Sequence, residues 1–353
     1  MVGKVKLALL GCGDVAQRDY LPEMHRLADR VELVAVCGRS PQRARHVAEA
    51  YGIPSWYTDY ARMLREAEVD AVLNLTPIQL HAEATLACLA AGKHVYSEKP
   101  VATELEDALR IREEASRRGL VVVCAPSVML FPQVRCVQRL LERGAVGEVH
   151  LVHARGYGGV PPWRGYTSDP TPFFAPGGGP LMDMGVYPLH VLTGLFGQVR
   201  KVAAMSHRSR EAFVVDEGPF AGKLVPIAVD DCWELVLEME VGVTAVVSAN
   251  NCVVDTRSPE MEIYGLDGTI GLSLLDVSAP VALLRRGGGW ESLKVDHGGR
   301  AQGPDHLLGV EHLVDCITSG TPPILSLQQA IHVLEVIKGA ERSAASGYTQ
   351  QLA

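Results

Sequence analysis

The first third of the chain gathers its apolar residues into short, mostly apolar runs, at positions 5–10, 31–37, 71–75, 94–96 and 120–124. Runs of this length without polar alternation predict strands buried on both faces of a parallel sheet. Between two of them, residues 81–91 carry Ala84, Leu86, Ala87, Leu89 and Ala90 in helical order, with Gly92 as the stop. Residues 103–118 predict a second amphipathic helix, opened by the capping box Thr103-x-x-Glu106 and closed by Arg117, Arg118 and Gly119. Thr76-Pro77 ends the strand at 71–75, because proline cannot continue a ladder. Strand, helix and strand therefore follow one another within residues 71–96, the size of one βαβ unit.

Past residue 126 the pattern changes. Residues 132–143 read as a helix ending at Gly144, 149–156 as the first strand of a second sheet, and 180–196 as a helix opened by Gly177-Gly178-Gly179-Pro180. Alternating or apolar strands then dominate, at 202–206, 232–239, 244–250 and 260–264, with turns at Asp267-Gly268 and Gly287 to Gly289. Residues 211–225 are polar and contain glycine, and read as an insertion loop. Two helices finish the chain, 307–318 and 327–345, the second with Ser326 as N-cap.

The strand at 5–10 runs into Gly11-Cys12-Gly13-Asp14-Val15-Ala16, a Gly-x-Gly-x-x-Ala dinucleotide fingerprint. Gly11 permits the tight turn, Gly13 lets a pyrophosphate approach the backbone, and the small Ala16 lets the following helix lie close to the sheet, with its positive end toward the phosphates. After the second strand this pattern wants a carboxylate for the ribose hydroxyls of NAD. The chain has Gly38-Arg39-Ser40-Pro41 instead. A guanidinium makes paired, charge-assisted bonds to a 2′-phosphate, so Arg39 and Ser40, helped by Arg43, predict NADP in preference to NAD.

Size and composition fit this picture. A chain of 353 residues is comfortable for two domains, and 47% hydrophobic with 21% charged residues is ordinary globular composition. The net charge of −8, without a basic block, argues against a nucleic-acid partner. No apolar run approaches the ~18 residues of a membrane span, and the first strand begins where a signal peptide would lie. The eight cysteines are scattered without a Cys-x-x-Cys pair, so no metal site is expected and a reducing, cytoplasmic setting is. His306, Glu311, His312 and His332 show no metal spacing and read as structural or surface groups.

Thr76-Pro77, His81, Gly92-Lys93-His94-Val95 and Glu98-Lys99-Pro100, taken together, resemble the glucose-fructose oxidoreductase, inositol dehydrogenase and rhizopine catabolism family (Gfo/Idh/MocA). The resemblance implies an α/β chain with an N-terminal Rossmann dinucleotide-binding domain, residues 1–126. A C-terminal α+β domain with a large, mostly antiparallel open sheet, residues 127–353, would follow, and its terminal helix 327–345 would pack back near the first. It places Thr76, Pro77, His81, Glu98 and Lys99 at the cofactor, with Lys99 beside both nicotinamide and substrate. In relatives the outer face of the second sheet forms a dimer or tetramer contact, so a homodimer or homotetramer through that sheet is expected. One departure stands out: the asparagine and arginine that the family commonly places before the helix at 132 correspond here to Ser127 and Met129. Two polar substrate contacts are thereby missing, which makes a simple sugar substrate less certain.

The substrate side is expected in two places. The Gly/Pro/aromatic segment 156–179 is too long for an idle connection, and Tyr157, Trp163 and Arg164 are candidates for a substrate wall, with Trp163 and Tyr166 able to stack on a ring. A dimer-contacting loop is the competing reading. Asp183, Tyr187 and His190 follow at i, i+4 and i+7 of a helix and share one face. The resemblance implies that Asp183 and Tyr187 complete a catalytic set with Lys99.

A phenol ordinarily titrates near ~10, and one ammonium at ~4 Å in an effective dielectric near 20 contributes about 4 kcal/mol, enough to lower it by ~2 to 3 units. Tyr187 is therefore expected as general acid/base, Lys99 as the group binding the reacting oxygen, and Asp183 as the residue positioning both. The expected function is NAD(P)-dependent hydride transfer to or from a carbinol of a polyol, sugar or related cyclic alcohol. An NAD-dependent glycosidase with transient internal redox, or a regulator that binds cofactor without turnover, are the alternatives.

Overall fold

The computed structural model describes residues 3–300 and 302–352. It separates into two compact units: Met1–Ser127 with His306–Ile331, and Val128–Asp305 with His332–Ala353.

In the first unit, β1 (Val5–Leu10), β2 (Val31–Cys37), β3 (Ser55–Tyr57), β4 (Ala71–Asn74), β5 (His94–Ser97) and β6 (Val122–Cys124) form one sheet in the order β3-β2-β1-β4-β5-β6. Every pairing in it is parallel. The apolar runs are buried on both faces, with Leu7, Leu9, Leu73 and Val95 wholly inaccessible. Strand order reverses between β1 and β4, and such a switch point is where an open parallel sheet leaves a crevice at its carboxyl edge. Helices α1 (Pro41–Tyr51), α2 (Tyr60–Glu66), α3 (His81–Ala90) and α4 (Leu105–Arg118) make the crossovers. The segment His306–Ile331 belongs to this unit: Arg30 pairs with Glu311 and Asp315, and the Cys124 amide donates to the Leu325 carbonyl (3.1 Å). The last contact covers the otherwise open edge of β6.

The second unit is built on nine strands. They are β7 (Val149–Tyr157), β8 (Val199–His207), then, after the hairpin pair β9 (Ala212–Val214) and β10 (Leu224–Pro226), β11 (Cys232–Met239), β12 (Thr244–Asn250), β13 (Met261–Gly265), β14 (Gly268–Leu272), β15 (Val281–Arg285), β16 (Trp290–Leu293) and β17 (Gln350–Gln351). The order is β16-β15-β14-β13-β7-β12-β11-β8-β17, antiparallel throughout except for β7 beside β12. Period-two alternation sorts the faces: Leu235, Leu237, Ala245 and Val247 are buried, while Met205 and Val236 on the other face are 80% and 50% exposed. The helices are α5 (Pro132–Glu142), α6 (Val186–Phe196), α7 (Leu307–Ser319) and α8 (Leu327–Ser346), of which α7 lies in the first unit and α8 straddles the division. Ser326 caps α8 through its Oγ, which accepts the Gln329 amide (3.1 Å). His332 and Ser343 of α8 accept the β8 amides of Val199 (2.9 Å) and Ala204 (3.0 Å). Among the described residues no helix is long and apolar enough to cross a membrane.

Five local expectations are corrected. The capping box does not form: α4 starts at Leu105, with Glu104 at the N-cap position and no side-chain cap bond. The helix after the fingerprint is irregular, a π turn (Ala16–Tyr20) followed by a 3-10 stretch (Leu21–Leu27), because Pro22 lacks the amide that a regular α-helix would use there. The helix expected at 180–196 is a π turn (Leu181–Gly185) before α6. Residues 211–225 are not a plain loop. They hold the β9–β10 hairpin, whose Phe213, Val215 and Val225, with Ile227, cluster on Phe174 of the long loop. The turn between β13 and β14 is Leu266-Asp267, with Gly268 already in the strand.

Candidate active site

In the first unit the cofactor fingerprint lies at the end of β1. Gly11 has φ of 104°, and a Cβ there would stand 2.3 Å from the Leu75 carbonyl oxygen at the end of β4, so only glycine fits both the turn and the contact. Asp14 and Ala16 are buried, and Gly13 and Val15 half-buried. At the end of β2, Arg39 is exposed and Arg43 half-buried. Neither guanidinium takes part in an ion pair among the described residues. Ser40 caps α1, its Oγ accepting the Arg43 amide (3.3 Å).

The ends of β4 and β5 meet at one histidine. The buried His81 ring has Nε2 2.8 Å from the Thr76 carbonyl and Nδ1 2.7 Å from the Pro100 carbonyl. Burial pushes its pKa down, against these two carbonyls and the nearby Glu98. The Thr76 hydroxyl donates to Asn74 Oδ1 (2.7 Å), and Asn74 Nδ2 donates to the His81 carbonyl (2.9 Å), so the Thr76-Pro77 corner is fixed from two directions.

Lys99 is half-buried and stands next to Glu98, which is 7% exposed. Glu98 Oε2 accepts the Lys99 amide (2.9 Å), and Oε1 accepts the Tyr20 hydroxyl. Burial works to raise the Glu98 pKa. His306, Lys99 and the two hydrogen bonds outweigh it and hold the carboxyl below its ordinary value. Tyr20, Tyr96 and His306 around this carboxylate were not legible as site residues. Tyr20 and Tyr96 look like core aromatics, and nothing in the sequence connects His306, expected as a structural or surface group, to Glu98. His312 and His332 are structural, as expected: they accept the amides of Ile324 (2.8 Å) and Val199 (2.9 Å).

In the second unit, the carboxyl end of β7 meets the π turn. A Cβ on Gly156 would come within 2.5 Å of the Met184 carbonyl oxygen, so glycine lets the turn that carries Asp183 lie against the strand. Asp183 and Tyr187 are 4% and 8% exposed. The step from Asp183 to Tyr187 passes through a π turn, and Tyr187 and His190 follow within α6. His190 Nδ1 lies 2.8 Å from the Val186 carbonyl, and burial pushes its pKa down to about 4. Tyr157 ends β7, level with Asn250 of β12. The Trp163 indole donates to the Gly158 carbonyl, and its ring meets Tyr166 and Phe173 edge-on, each with centroids 5.2 Å apart. Arg164 is exposed. The loop is further held by Lys223, which donates to Asp169 (2.6 Å) and Thr171 (2.9 Å). Ser127 and Met129, which replace the asparagine and arginine common in the family, are both buried.

These features are those of a described family. A family model for an oxidoreductase family with an NAD-binding Rossmann fold (GFO_IDH_MocA) matches residues 5–125, and its GFO/IDH/MocA C-terminal domain model matches residues 134–271. The chain belongs to the Gfo/Idh/MocA family. Within it, a dTDP-3,4-didehydro-2,6-dideoxy-alpha-D-glucose 3-reductase of Streptomyces violaceoruber is 33% identical over 218 residues, 62% of this chain and 62% of that protein. The chain therefore matches less than two thirds of that relative. A D-apiose dehydrogenase of Paraburkholderia graminis is 26% identical over 99% of this chain and 90% of its own length. The fold is that of levoglucosan dehydrogenase, solved in complex with NADH and levoglucosan, with a TM-score of 0.85 at 18% identity over 99% of this chain and 100% of that one.

Proposed function

We propose that the chain is an NAD(P)-dependent oxidoreductase that moves a hydride between nicotinamide and the carbinol or carbonyl carbon of a sugar, polyol or related cyclic alcohol. The observation that carries this reading is the position of Lys99, at the carboxyl end of β5 in the same parallel sheet whose β1 turn bears the dinucleotide fingerprint. The sugar substrates named for the family members above support the substrate class.

The residues fit a dinucleotide. The turn from Gly11 to Ala16 would hold the pyrophosphate, and Arg39, Ser40 and Arg43 the 2′-phosphate of NADP, since two guanidinium groups without ion-pair partners among the described residues stand where a carboxylate would select NAD. Thr76, Pro77, His81, Glu98 and Lys99 would surround the nicotinamide half. When bound, the nicotinamide supplies the hydride chemistry. The protein's own part is the proton. Tyr187 gives or takes it at the phenol oxygen, Lys99 binds the reacting oxygen through its ammonium, and Asp183 positions the two. Tyr157, Trp163, Arg164 and His190 would complete the substrate wall, His190 as a neutral ring. The exposed Met205 and Val236 support self-association, as a homodimer or homotetramer, through the outer face of the nine-stranded sheet.

A screen of aldoses, glycosides, inositols and dihydrodiols, followed at the reduced-nicotinamide absorbance with each cofactor, tests the reading. Net accumulation of reduced cofactor with at least one compound, and a higher kcat/KM with NADP than with NAD, are expected. Product release from a glycoside without any net absorbance change would instead identify a hydrolase, and a marked NAD preference would reject the role given to Arg39.

A further inference from the structure

We propose that Tyr20 is a positioning residue for Lys99, acting through the buried carboxylate of Glu98. The inference rests on the reading of Lys99 as the oxygen-binding group, and it adds what holds that group in place. Tyr20 ends the π turn that follows the fingerprint and is wholly inaccessible. An ionised carboxylate only accepts, so the single Tyr20 proton goes to Glu98 Oε1. The Tyr96 hydroxyl, 3.1 Å away, is left to supply the proton between the two phenols. Glu98 Oε2 holds the Lys99 amide, and His81 Nδ1 lies 2.7 Å from the Pro100 carbonyl, which it holds in the tautomer that carries the ring proton there. The backbone from which the Lys99 side chain springs is thus pinned from the π turn beside the fingerprint, and in the Nδ1–H tautomer of His81 from α3 as well.

The charged and titratable groups facing Glu98 are Lys99 and His306, which favour its ionised form, Asp19 of like sign, His81, and the phenols Tyr20 and Tyr96. The Tyr20 and His306 rings lie 5.7 Å apart, and Gly309 of α7 packs on the Tyr96 ring, so the carboxylate is enclosed by a segment of distant sequence. A phenylalanine at position 20 would fill the same space. The hydroxyl is what the site uses, because a buried carboxylate oxygen left without a donor is costly.

Hydrogen exchange of the full-length chain, read at single amides by mass spectrometry, tests this. In Tyr20→Phe at pH 7, the Lys99 amide is expected to exchange about tenfold faster, while the β5 amides of Val95 and Tyr96 stay within about twofold. As pH falls, Lys99 protection should be lost at a higher pH in the variant than in the parent, because the bond that lowers the proton affinity of Glu98 is gone. In a Glu98→Ala background, or Glu98→Gln should alanine not fold, Tyr20→Phe should add nothing further. Unchanged Lys99 exchange in Tyr20→Phe, or an equal acceleration without Glu98, would overturn the proposal. Turnover of Lys99→Met is read separately: if it persists while Tyr20→Phe still frees the amide, the brace stands and the functional reading of Lys99 falls.

Discussion

His190 shows at the residue scale how burial changes a side chain that spacing alone marks as proton-handling. Its pKa sits at about 4, below that of an exposed histidine, so between pH ~6.5 and ~4 the unfolded chain binds a proton that the folded chain refuses. Stability contributed by the neutral ring is therefore full above that window and is lost as pH falls through it. Replacing His190 by glutamine should make stability less dependent on pH, sparing about 2 kcal/mol of the loss between pH 7 and pH 5, as measured by urea unfolding. Identical pH slopes in the two proteins would show that the ring is not held neutral. The fingerprint marked Gly11, and the family resemblance marked Lys99, Asp183 and Tyr187 as candidates. Tyr20 was not legible, since a tyrosine in an apolar stretch looks the same whether its hydroxyl is used or merely tolerated.

At the scale of elements, both π turns carry a polar residue of the proposed site, Tyr20 in one and Asp183 in the other. Sequence periodicity predicts regular helices at both places, because a single five-residue π turn is too short to show a period of its own. Gly156 makes the second turn possible. Gly156→Ala would drive a Cβ into the Met184 carbonyl and should cost at least about 2 kcal/mol, lowering the melting temperature of the second unit by roughly 5 °C or more. An unchanged calorimetric transition would mean that the strand and turn can separate freely. The long strands were legible: β11 and β12 span the alternating segments expected for them. The β9–β10 hairpin was not, because each strand is three residues long and the acidic, glycine-containing stretch between them masks the alternation of Phe213 with Val215 and of Val225 with Ile227.

At the scale of the whole chain, the parallel and the mostly antiparallel sheets follow from the change of hydrophobic pattern near residue 126. The membership of residues 306–331 in the first unit does not follow from it. Their partners, the β6 edge and the Tyr96 ring, lie about two hundred residues earlier, and no local signal reports a contact of that separation. The proposal that Lys99 and Tyr187 act on one substrate oxygen has the same long-range character. Single-turnover rates of the parent, Lys99→Met, Tyr187→Phe and the double variant, with cofactor affinity measured alongside, test it directly. Groups acting as one unit should each cost about 10²–10³ in rate, with the double variant little slower than the worse single and cofactor affinity within about twofold. Retained turnover in Tyr187→Phe, or two losses that multiply in the double variant, would contradict it.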